Sequence, residues 1–254
     1  MDSLGIIDTL LLIRTLLGVA ILMAVTLGVL TAVRAPHPVA PIGAILRGLV
    51  QLAIISVILT GVITNPAWVA LALLVMFSVA TITATRRIGW SRRHLGIVVL
   101  AMAAGVLVTL TIVFGTGAID FTARYALAIG GIVIGNSMSI ATVGGRRLLE
   151  SVDDRWEDVE GWLALGATPR QSTRALAKQA IYSALIPTTD QTRTTGLVTL
   201  PGAFVGAIFG GVSPLEAGRF QIVVLASIMA AGAITASLLV SSLAPLRQRP
   251  AKLR

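Results

Sequence analysis

The sequence predicts an all-α polytopic membrane protein with about seven transmembrane helices. Hydrophobic residues make up 56% of the 254 residues and charged residues only 12%, about half the charged fraction of an ordinary soluble domain. Apolar stretches of about 20 residues, long enough to cross the bilayer core as helices, recur along the chain. Short polar or proline-containing segments separate them. We therefore expect a single transmembrane domain over residues 1–254 and a multi-pass location in the inner or plasma membrane.

The apolar stretches define the predicted spans in chain order. Pro36, Pro38 and Pro41 separate the first span from the second, and Asn65-Pro66 predicts a tight turn after the second. The start of the chain is acidic and its apolar stretch runs on to full span length, so we expect no cleavable signal peptide. The predicted spans are 10–33, 42–63, 68–85, 95–114, 124–143, 188–210 and 220–243.

The distribution of basic residues predicts the orientation. Most arginines and lysines fall in the first, third and fifth loops and in the tail, whereas the alternate loops and the N-terminus are nearly free of them. The positive-inside rule then places the N-terminus outside and the C-terminus in the cytoplasm. The same rule explains the net charge of +9. Because no basic face carries interleaved aromatic residues, nucleic acid is not an expected partner.

The longest polar interruption is residues 146–187, between the fifth and sixth spans. It holds six of the eleven acidic residues, so it must lie in water. Helical spacing predicts a helix over 153–165 with Trp156, Val159, Leu163 and Trp162 on an apolar stripe. Gly-Ala-Thr-Pro at 166–169 predicts a helix stop, then an N-cap and a first-turn proline. A second helix is expected over 170–186, ending at Pro187.

This segment resembles the coupling loop of ABC transporter permeases. ALGATPRQSTRALAKQAIYSALIP is preceded by Glu160, as in the importer pattern, although Gly161 and Trp162 replace its two alanines. A closer similarity, to the FetB/YbbM-type ABC permeases, extends over nearly the whole chain. The segments that carry it are IGNSMSIA, LGATPRQS, ALIPTTDQTRTTGLVTLPG and the short loop before the last span. Bacterial members of that family are linked to iron export and plant relatives to aluminium tolerance.

The resemblance implies a permease subunit that forms a homodimer and docks on a separate ABC ATPase. The chain has no GxxxxGK[ST] phosphate loop, so ATP and Mg²⁺ are expected in the partner and no cofactor or enzymatic activity in this chain. Cysteine is absent, both histidines fall in loops, and no metal site is predicted. The expected ATPase-coupling residues are Glu157, Glu160, Leu165, Gly166, Ala167, Thr168, Pro169, Arg170 and Arg174.

Polar and helix-breaking residues in the spans are candidates for the transport pathway and its hinge. Asp190 and Arg193 share a helix face, near the inner end of the predicted sixth span, and form either an interfacial ion pair or a gate. Pro201 lies near the middle of that span, where it is either a hinge or a static kink. Small-xxx-small glycines at 202, 206 and 210, and at 131 and 135, predict close helix packing. The full pathway set is Asn136, Ser137, Pro187, Asp190, Arg193, Pro201 and Gly202.

Two other functions fit the same residues. In an ion-coupled secondary transporter or channel, Asp190 would be the coupling group. In a membrane scaffold, the polar loop would recruit a soluble partner without transport. A nucleotide-hydrolysing partner distinguishes the ABC permease from both.

Overall fold

The computed structural model describes residues 2–62 and 65–250, with side chains described from Leu11 onward except at positions 54 and 57–62. These residues form helices joined by short loops, and the sole β feature among them is an isolated bridge between Thr195 and Thr199. The all-α prediction is therefore confirmed. The chain divides into two compact units, Met1–Val62 and Ile63–Arg254.

The first unit consists of two helices, α1 (Asp2–Ala32) and α2 (Ala40–Val62), which contact each other. Helix α1 carries an apolar stretch, Leu11–Ala32, that is long enough to cross a membrane and is not buried within the unit. Helix α2 includes a shorter apolar helical stretch, Ala40–Ala53. Ile63, the last residue of the predicted second span, lies outside the described residues.

The second unit contains the remaining described helices. They are α3 (Pro66–Ile88), α4 (Arg92–Gly115), α5 (Ala123–Asp154), α6 (Trp156–Ala164), α7 (Pro169–Ser172), α8 (Arg174–Thr194), α9 (Gly202–Phe209) and α10 (Pro214–Leu243). Among the described residues, five helices are long and apolar enough to cross a membrane: α1, α3, α4, α5 and α10. A polytopic membrane protein is thus confirmed.

Side-chain caps fix where several of these helices begin. Asn65 accepts a hydrogen bond from the backbone N–H of Ala67 at 2.9 Å, with Pro66 at the first helical position of α3; the tight turn predicted after the second span includes residues 63–64, which lie outside the described residues. Ser91, Thr122 and Ser213 cap α4, α5 and α10 in the same way. Each cap satisfies a backbone donor that the helix itself leaves unpaired.

Helices α5 and α10 form the centre of the second unit. They contact each other, and both contact α4 and α8, while α3 packs on α5 and α4. Close approach depends on glycines. A Cβ atom on Gly105 would lie 2.6 Å from the carbonyl oxygen of Ala231, and one on Gly145 would lie 2.7 Å from Ile88 Cδ1. Such contacts let helices pack in lipid, where apolar association alone gives little driving force.

The glycines singled out by four-residue spacing do not perform this packing. No atom lies within 4 Å of an added Cβ at Gly135, Gly202 or Gly206, and Gly131 meets only the flexible end of Met76. Gly210 meets only carbonyl oxygens of the preceding turn, from Gly206 and Ala207. Spacing identified small residues, but it does not distinguish a face that meets a neighbouring helix from one that is open.

The predicted sixth span, 188–210, is wrong as a continuous helix. Helix α8 begins at Arg174 and ends at Thr194, and α9 starts only at Gly202. Pro201 is the N-cap residue of α9, while Pro187 lies inside α8 and neither opens a span nor ends the second loop helix. The apolar content of 195–210 resembled part of a span, but Gly196, with φ of 86°, turns the chain directly after α8.

The predicted loop helix over 153–165 is also shifted. Helix α5 continues to Asp154, eleven residues beyond the predicted end of its span at residue 143, and the chain breaks at Arg155 before α6. The second loop helix starts as the short α7 and restarts as α8 at Arg174. Helix α5 extends because its buried side chains continue through Leu148, Leu149 and Val152, so packing extends past the apolar stretch.

Candidate functional site

The turn between α6 and α7, residues 165–168, is a tightly determined elbow. Gly166 has φ of 90°. Its N–H donates to Leu163 O at 3.0 Å, and the N–H of Ala167 donates to Trp162 O at 3.0 Å. This pair of bonds is the Schellman motif, which ends a helix on a left-handed glycine. The predicted helix stop at Gly166 is confirmed.

The next helix starts immediately after the elbow. The Thr168 hydroxyl accepts from the N–H of Gln171, and the Gln171 side chain accepts from the N–H of Thr168 at 2.8 Å, with Pro169 at the first helical position. This reciprocal arrangement is a capping box. It confirms the predicted N-cap and first-turn proline and adds Gln171, which the sequence analysis did not identify although the Thr-x-x-Gln spacing indicates it.

Helix α6 buries one face and exposes the other. Val159 is 1% exposed, and Trp156 and Leu163 pack against the core of the unit. Trp162, predicted on the same stripe, is instead 58% exposed and Leu165 is 83% exposed. Trp162 lies one position before Leu163, and a rotation of about 100° per residue directs it away from the buried side.

The outer face of the elbow combines exposed apolar groups with charge. Trp162, Leu165, Gly166, Ala167 and Gln171 line a surface depression of about 420 Å³. Flanking it, the acidic residues Glu157 and Glu160 and the basic residues Arg170 and Arg174 are exposed. Large apolar side chains exposed among charged ones are typical of a protein docking surface.

Buried hydrogen bonds attach the elbow to the end of α10. Thr173, which is fully buried, donates from its hydroxyl to Ala244 O at 2.8 Å. The same hydroxyl lies 2.9 Å from Pro169 O. Nearby, Arg249 forms an ion pair with Asp153 at the end of α5. The residue between α7 and α8 is therefore held at the end of α10, and the segment after α10 is in turn held at the end of α5. Thr173 was also missed, because a hydroxyl inside a polar loop gives no sign of burial.

Helix α8 leads from this attachment to the middle of the unit. Thr189 Oγ1 lies 3.9 Å from Met229 Sδ, and Met229 is the sixteenth of the thirty residues of α10. The residues that follow Pro187 are TTDQTRTT, eight consecutive polar residues. Asp190 and Arg193 therefore follow a residue that lies beside the middle of α10, whereas the sequence analysis expected them near the end of a span. With 1.5 Å of rise per residue, Asp190 is about 24 Å along α8 from Arg174.

Asp190 and Arg193 form an ion pair that is open to the surroundings. Their side chains are 3.7 Å apart and are 61% and 76% exposed, respectively. The neighbouring threonines donate back to helix carbonyls, as Thr192 does to Thr188 O and Thr194 to Asp190 O. Their hydroxyl oxygens retain lone pairs as acceptors. We call residues 188–195 the polar helix end. It lies beside the apolar part of α10, so its polar groups require water, cargo or a further protein surface as hydrogen-bonding partners.

Pro187 lies in the same helix as this ion pair, and the remaining predicted pathway residues lie on α5 and at the start of α9. The Asn136 amide donates to Ile132 O of its own helix at 2.9 Å and is half-buried. Ser137 is fully buried, and its hydroxyl has no hydrogen-bond partner among the described residues. Pro201 is half-buried at the start of α9, and Gly202 is exposed beside it. Two further buried polar groups that the sequence analysis missed, on Thr109 and Gln221, likewise lack a partner among the described residues.

Fold and site together define a polytopic helical membrane protein with a structured polar elbow and a polar helix end that begins beside the middle of α10. The chain matches the model of the family described as "Uncharacterised protein family (UPF0014)" over residues 13–245. It belongs to that family.

Curated relatives include plant and bacterial membrane proteins. The chain is 38% identical to the UPF0014 membrane protein STAR2 of Oryza sativa over 197 residues, 77% of this chain and 69% of that protein. It is 35% identical to the UPF0014 membrane protein YjkA of Bacillus subtilis over 198 residues, 77% and 79% of the two chains. It is 36% identical to the probable iron export permease protein FetB of Escherichia coli over 125 residues, 49% and 48% of the two chains.

These relatives confirm the family resemblance inferred from the motifs and a multi-pass location in the cell membrane. No solved structure matches the chain.

Proposed function

We propose that this chain is the membrane-spanning subunit of an ABC transporter and that it couples ATP hydrolysis by a separate subunit to movement of a cargo. One observation carries the proposal. A single helix, α8, connects the elbow to the polar helix end, with one residue, Thr173, between α7 and α8. Force applied at the elbow therefore reaches Asp190 through a rigid element, without a flexible loop between them.

The ATPase would dock on the outer face of the elbow. Trp162 and Leu165 supply exposed apolar area, and the Schellman motif and capping box hold the turn in one shape. A preorganised surface loses little entropy on binding. Glu157, Glu160, Arg170 and Arg174 lie around it and would set the orientation of docking through charge complementarity. ATP and Mg²⁺ would be held entirely by the partner.

The Thr173–Ala244 hydrogen bond would act as the pivot of this movement. It fixes the start of α8 to the end of α10 at 2.8 Å, so displacement of α7 would tilt α8 about that point. A tilt of 10° moves a point about 24 Å along the helix by about 4 Å. Asp190 and Arg193 both lie on α8, so they would move together and their ion pair would enter different surroundings. Pro201 and Gly202, between α8 and α9, would absorb the change as a hinge.

The transport pathway would form between two copies of the chain. The polar helix end is exposed within one copy, and exposed charges at that depth require water or protein around them. A homodimer that brings two polar helix ends together would enclose a water-filled cavity, with Asn136 and Ser137 contributing from α5. The N-terminus would lie outside, the elbow and the C-terminus in the cytoplasm, and α8 with α9 would complete a topology of about seven crossings. FetB of Escherichia coli, a relative named as a probable iron export permease protein, makes export linked to metal homeostasis the first cargo class to test.

Cross-linking tests the docking surface directly, because the chain contains no cysteine. We expect Leu165→Cys to cross-link to the co-expressed ABC ATPase. Leu107→Cys is the matched control, since Leu107 is also exposed, at 64%, but lies within the apolar helix α4. Deleting residues 166–174 should abolish co-purification while the chain still inserts into the membrane. Normal binding of the ATPase by that deletion variant would disprove the assignment.

An ion-coupled secondary transporter is a second candidate, favoured by the mid-depth position of Asp190. A carboxylate within the membrane is the usual coupling group of such proteins. In that case, purified chain in vesicles would transport cargo on an ion gradient without nucleotide, and Asp190→Asn would abolish it. The ABC permease requires ATP and the partner for every turnover.

A further inference from the structure

A basic pocket lies beside the elbow and is lined by Thr168, Pro169 and Arg170 together with residues from two other parts of the unit. Its volume is about 990 Å³, and four of its nine lining residues are arginines. Arg93 comes from the first turn of α4, Arg170 from α7, and Arg247 and Arg249 from the segment after α10. Among the residues that the structure describes, no carboxylate lines the pocket. Three separate parts of the second unit therefore contribute arginine side chains to the same pocket.

Most of this charge is not neutralised within the unit. Arg249 pairs with Asp153, which lies outside the pocket. In the part of the chain that the structure describes, Arg93, Arg170 and Arg247 form no salt bridge. Like charges brought together without a counterion destabilise the fold that gathers them. The arrangement thus favours an anion, and the planar guanidinium group is suited to the paired oxygens of a phosphate.

The position of the pocket favours a membrane phosphate over a soluble one. Arg93 lies at the start of α4 and Pro245 and Leu246 directly follow α10, and both helices are long and apolar enough to cross a membrane. The pocket therefore lies where two crossing helices reach the interface. Leu246, partly buried against the core, supplies apolar surface next to the arginines. Basic pockets at the cytoplasmic ends of helices bind the head groups of anionic lipids.

We propose that this pocket binds the phosphate head group of an anionic phospholipid from the cytoplasmic leaflet. The assignment of the leaflet rests on the orientation given under the proposed function. Because Thr168, Pro169 and Arg170 line the pocket together with residues 245–249, the head group would join the base of the elbow to the end of α10. The lipid would thus stabilise the same joint as the Thr173–Ala244 hydrogen bond.

Native mass spectrometry of the full-length chain, without the ATPase, tests the proposal. The chain is titrated with phosphatidylglycerol or phosphatidylcholine, and the variant Arg93→Gln/Arg247→Gln is compared with wild type. Arg170 is left intact because it also belongs to the proposed docking surface. The matched control is Arg86→Gln/Arg87→Gln, which removes two exposed arginines outside the pocket. Thermal unfolding of all three proteins checks that they are folded.

We expect the wild type to prefer phosphatidylglycerol and the pocket variant to bind it roughly 25-fold more weakly, from about fivefold for each arginine removed from contact with the head group. The control should change by less than about threefold, because neither Arg86 nor Arg87 lines the pocket. Equal weakening in both variants, or no weakening in either, would overturn the proposal. So would displacement of the lipid by millimolar inorganic phosphate, which would identify a soluble ligand.

A parallel pull-down with the ATPase separates this proposal from the previous one. If the pocket variant keeps the lipid but loses the ATPase, the pocket is part of the protein interface and the lipid proposal fails. If the lipid binds as expected while the wild-type chain never binds an ATPase, the proposed function fails and the lipid site stands. Loss of lipid with normal ATPase binding supports both.

Discussion

Two glycines five residues apart, Gly161 and Gly166, are expected to respond in opposite ways to the same substitution. No atom outside the local backbone lies within 4 Å of an added Cβ at either position, so a methyl group causes no steric clash. The backbone differs. Gly161 lies inside α6, whereas Gly166 has φ of 90°, a conformation that costs about 1–2 kcal/mol for a residue with a side chain.

The expected magnitudes follow from these conformations. Gly161→Ala should stabilise α6 by about 1 kcal/mol, because alanine has the higher helix propensity. Gly166→Ala should destabilise the elbow by about 1–2 kcal/mol, which corresponds to an opening about 5 to 30 times more frequent. The relevant quantity is the free energy of opening the elbow alone, since the elbow can open without global unfolding.

Hydrogen exchange of the Ala167 amide reports on this opening, because that N–H donates across the elbow to Trp162 O at 3.0 Å. We expect faster exchange in Gly166→Ala, slower exchange in Gly161→Ala, and weaker ATPase binding in the first variant alone. The reasoning is refuted if both substitutions shift the exchange rate in the same direction, since backbone conformation would then not be the determining factor.

Three further predictions concern the helices that transmit and receive the movement. Asp190→Asn should abolish transport while changing the free energy of unfolding by less than about 1 kcal/mol, because the ion pair between Asp190 and Arg193 is exposed. A large loss of stability in detergent would instead indicate a structural role for Asp190. Gly105→Ala should destabilise the packing of α4 on α10 by about 1–3 kcal/mol, since its Cβ would lie 2.6 Å from a backbone carbonyl oxygen. Gly96→Ala is the control, because the space around Gly96 is open. Equal shifts of the unfolding temperature in the two variants would contradict this prediction. Thr173→Val should cost about 1–3 kcal/mol by leaving a buried carbonyl unpaired, and an unchanged unfolding temperature would show that water replaces the hydroxyl.

Local sequence signals predicted the elbow well. Glycine at a left-handed position, threonine as an N-cap and proline at the first helical position each act through their own backbone, so Gly166, Thr168 and Pro169 indicate a stop and a start without knowledge of the fold. Asn65 and Pro66 act in the same way at the start of α3. Helix type and approximate position followed from apolar stretches of sufficient length.

Depth could not be predicted in the same way. The prediction equated a span with an apolar stretch, so it began the sixth span at residue 188 and placed Asp190 near the membrane surface. The structure starts α8 fourteen residues earlier, at Arg174, because Leu176, Ala177 and Ala180 are buried against neighbouring helices. The position of a polar helix depends on these tertiary contacts and not on its own hydropathy.

The burial of individual side chains could not be predicted from the sequence either. Thr173 is fully buried and Trp162 largely exposed, the reverse of what their side chains alone indicate. Both outcomes depend on tertiary contacts, since α6 packs on α5 and Thr173 is hydrogen-bonded to Ala244 at the end of α10. The roles of Asn136, Ser137, Pro201 and Gly202 in the pathway stay predictions.

The most direct test of the account is the accessibility of a cysteine at the polar helix end during ATP turnover. The variant Gln191→Cys, in a chain without other cysteines, is reconstituted with the ATPase and treated with a membrane-impermeant thiol reagent from each side of the vesicle. We predict that trapping the nucleotide-bound state shifts the reactive side and that this shift disappears when the ATPase is omitted. A reactive side that is independent of nucleotide, or that changes with an ion gradient alone, would contradict the claim that force enters through the elbow.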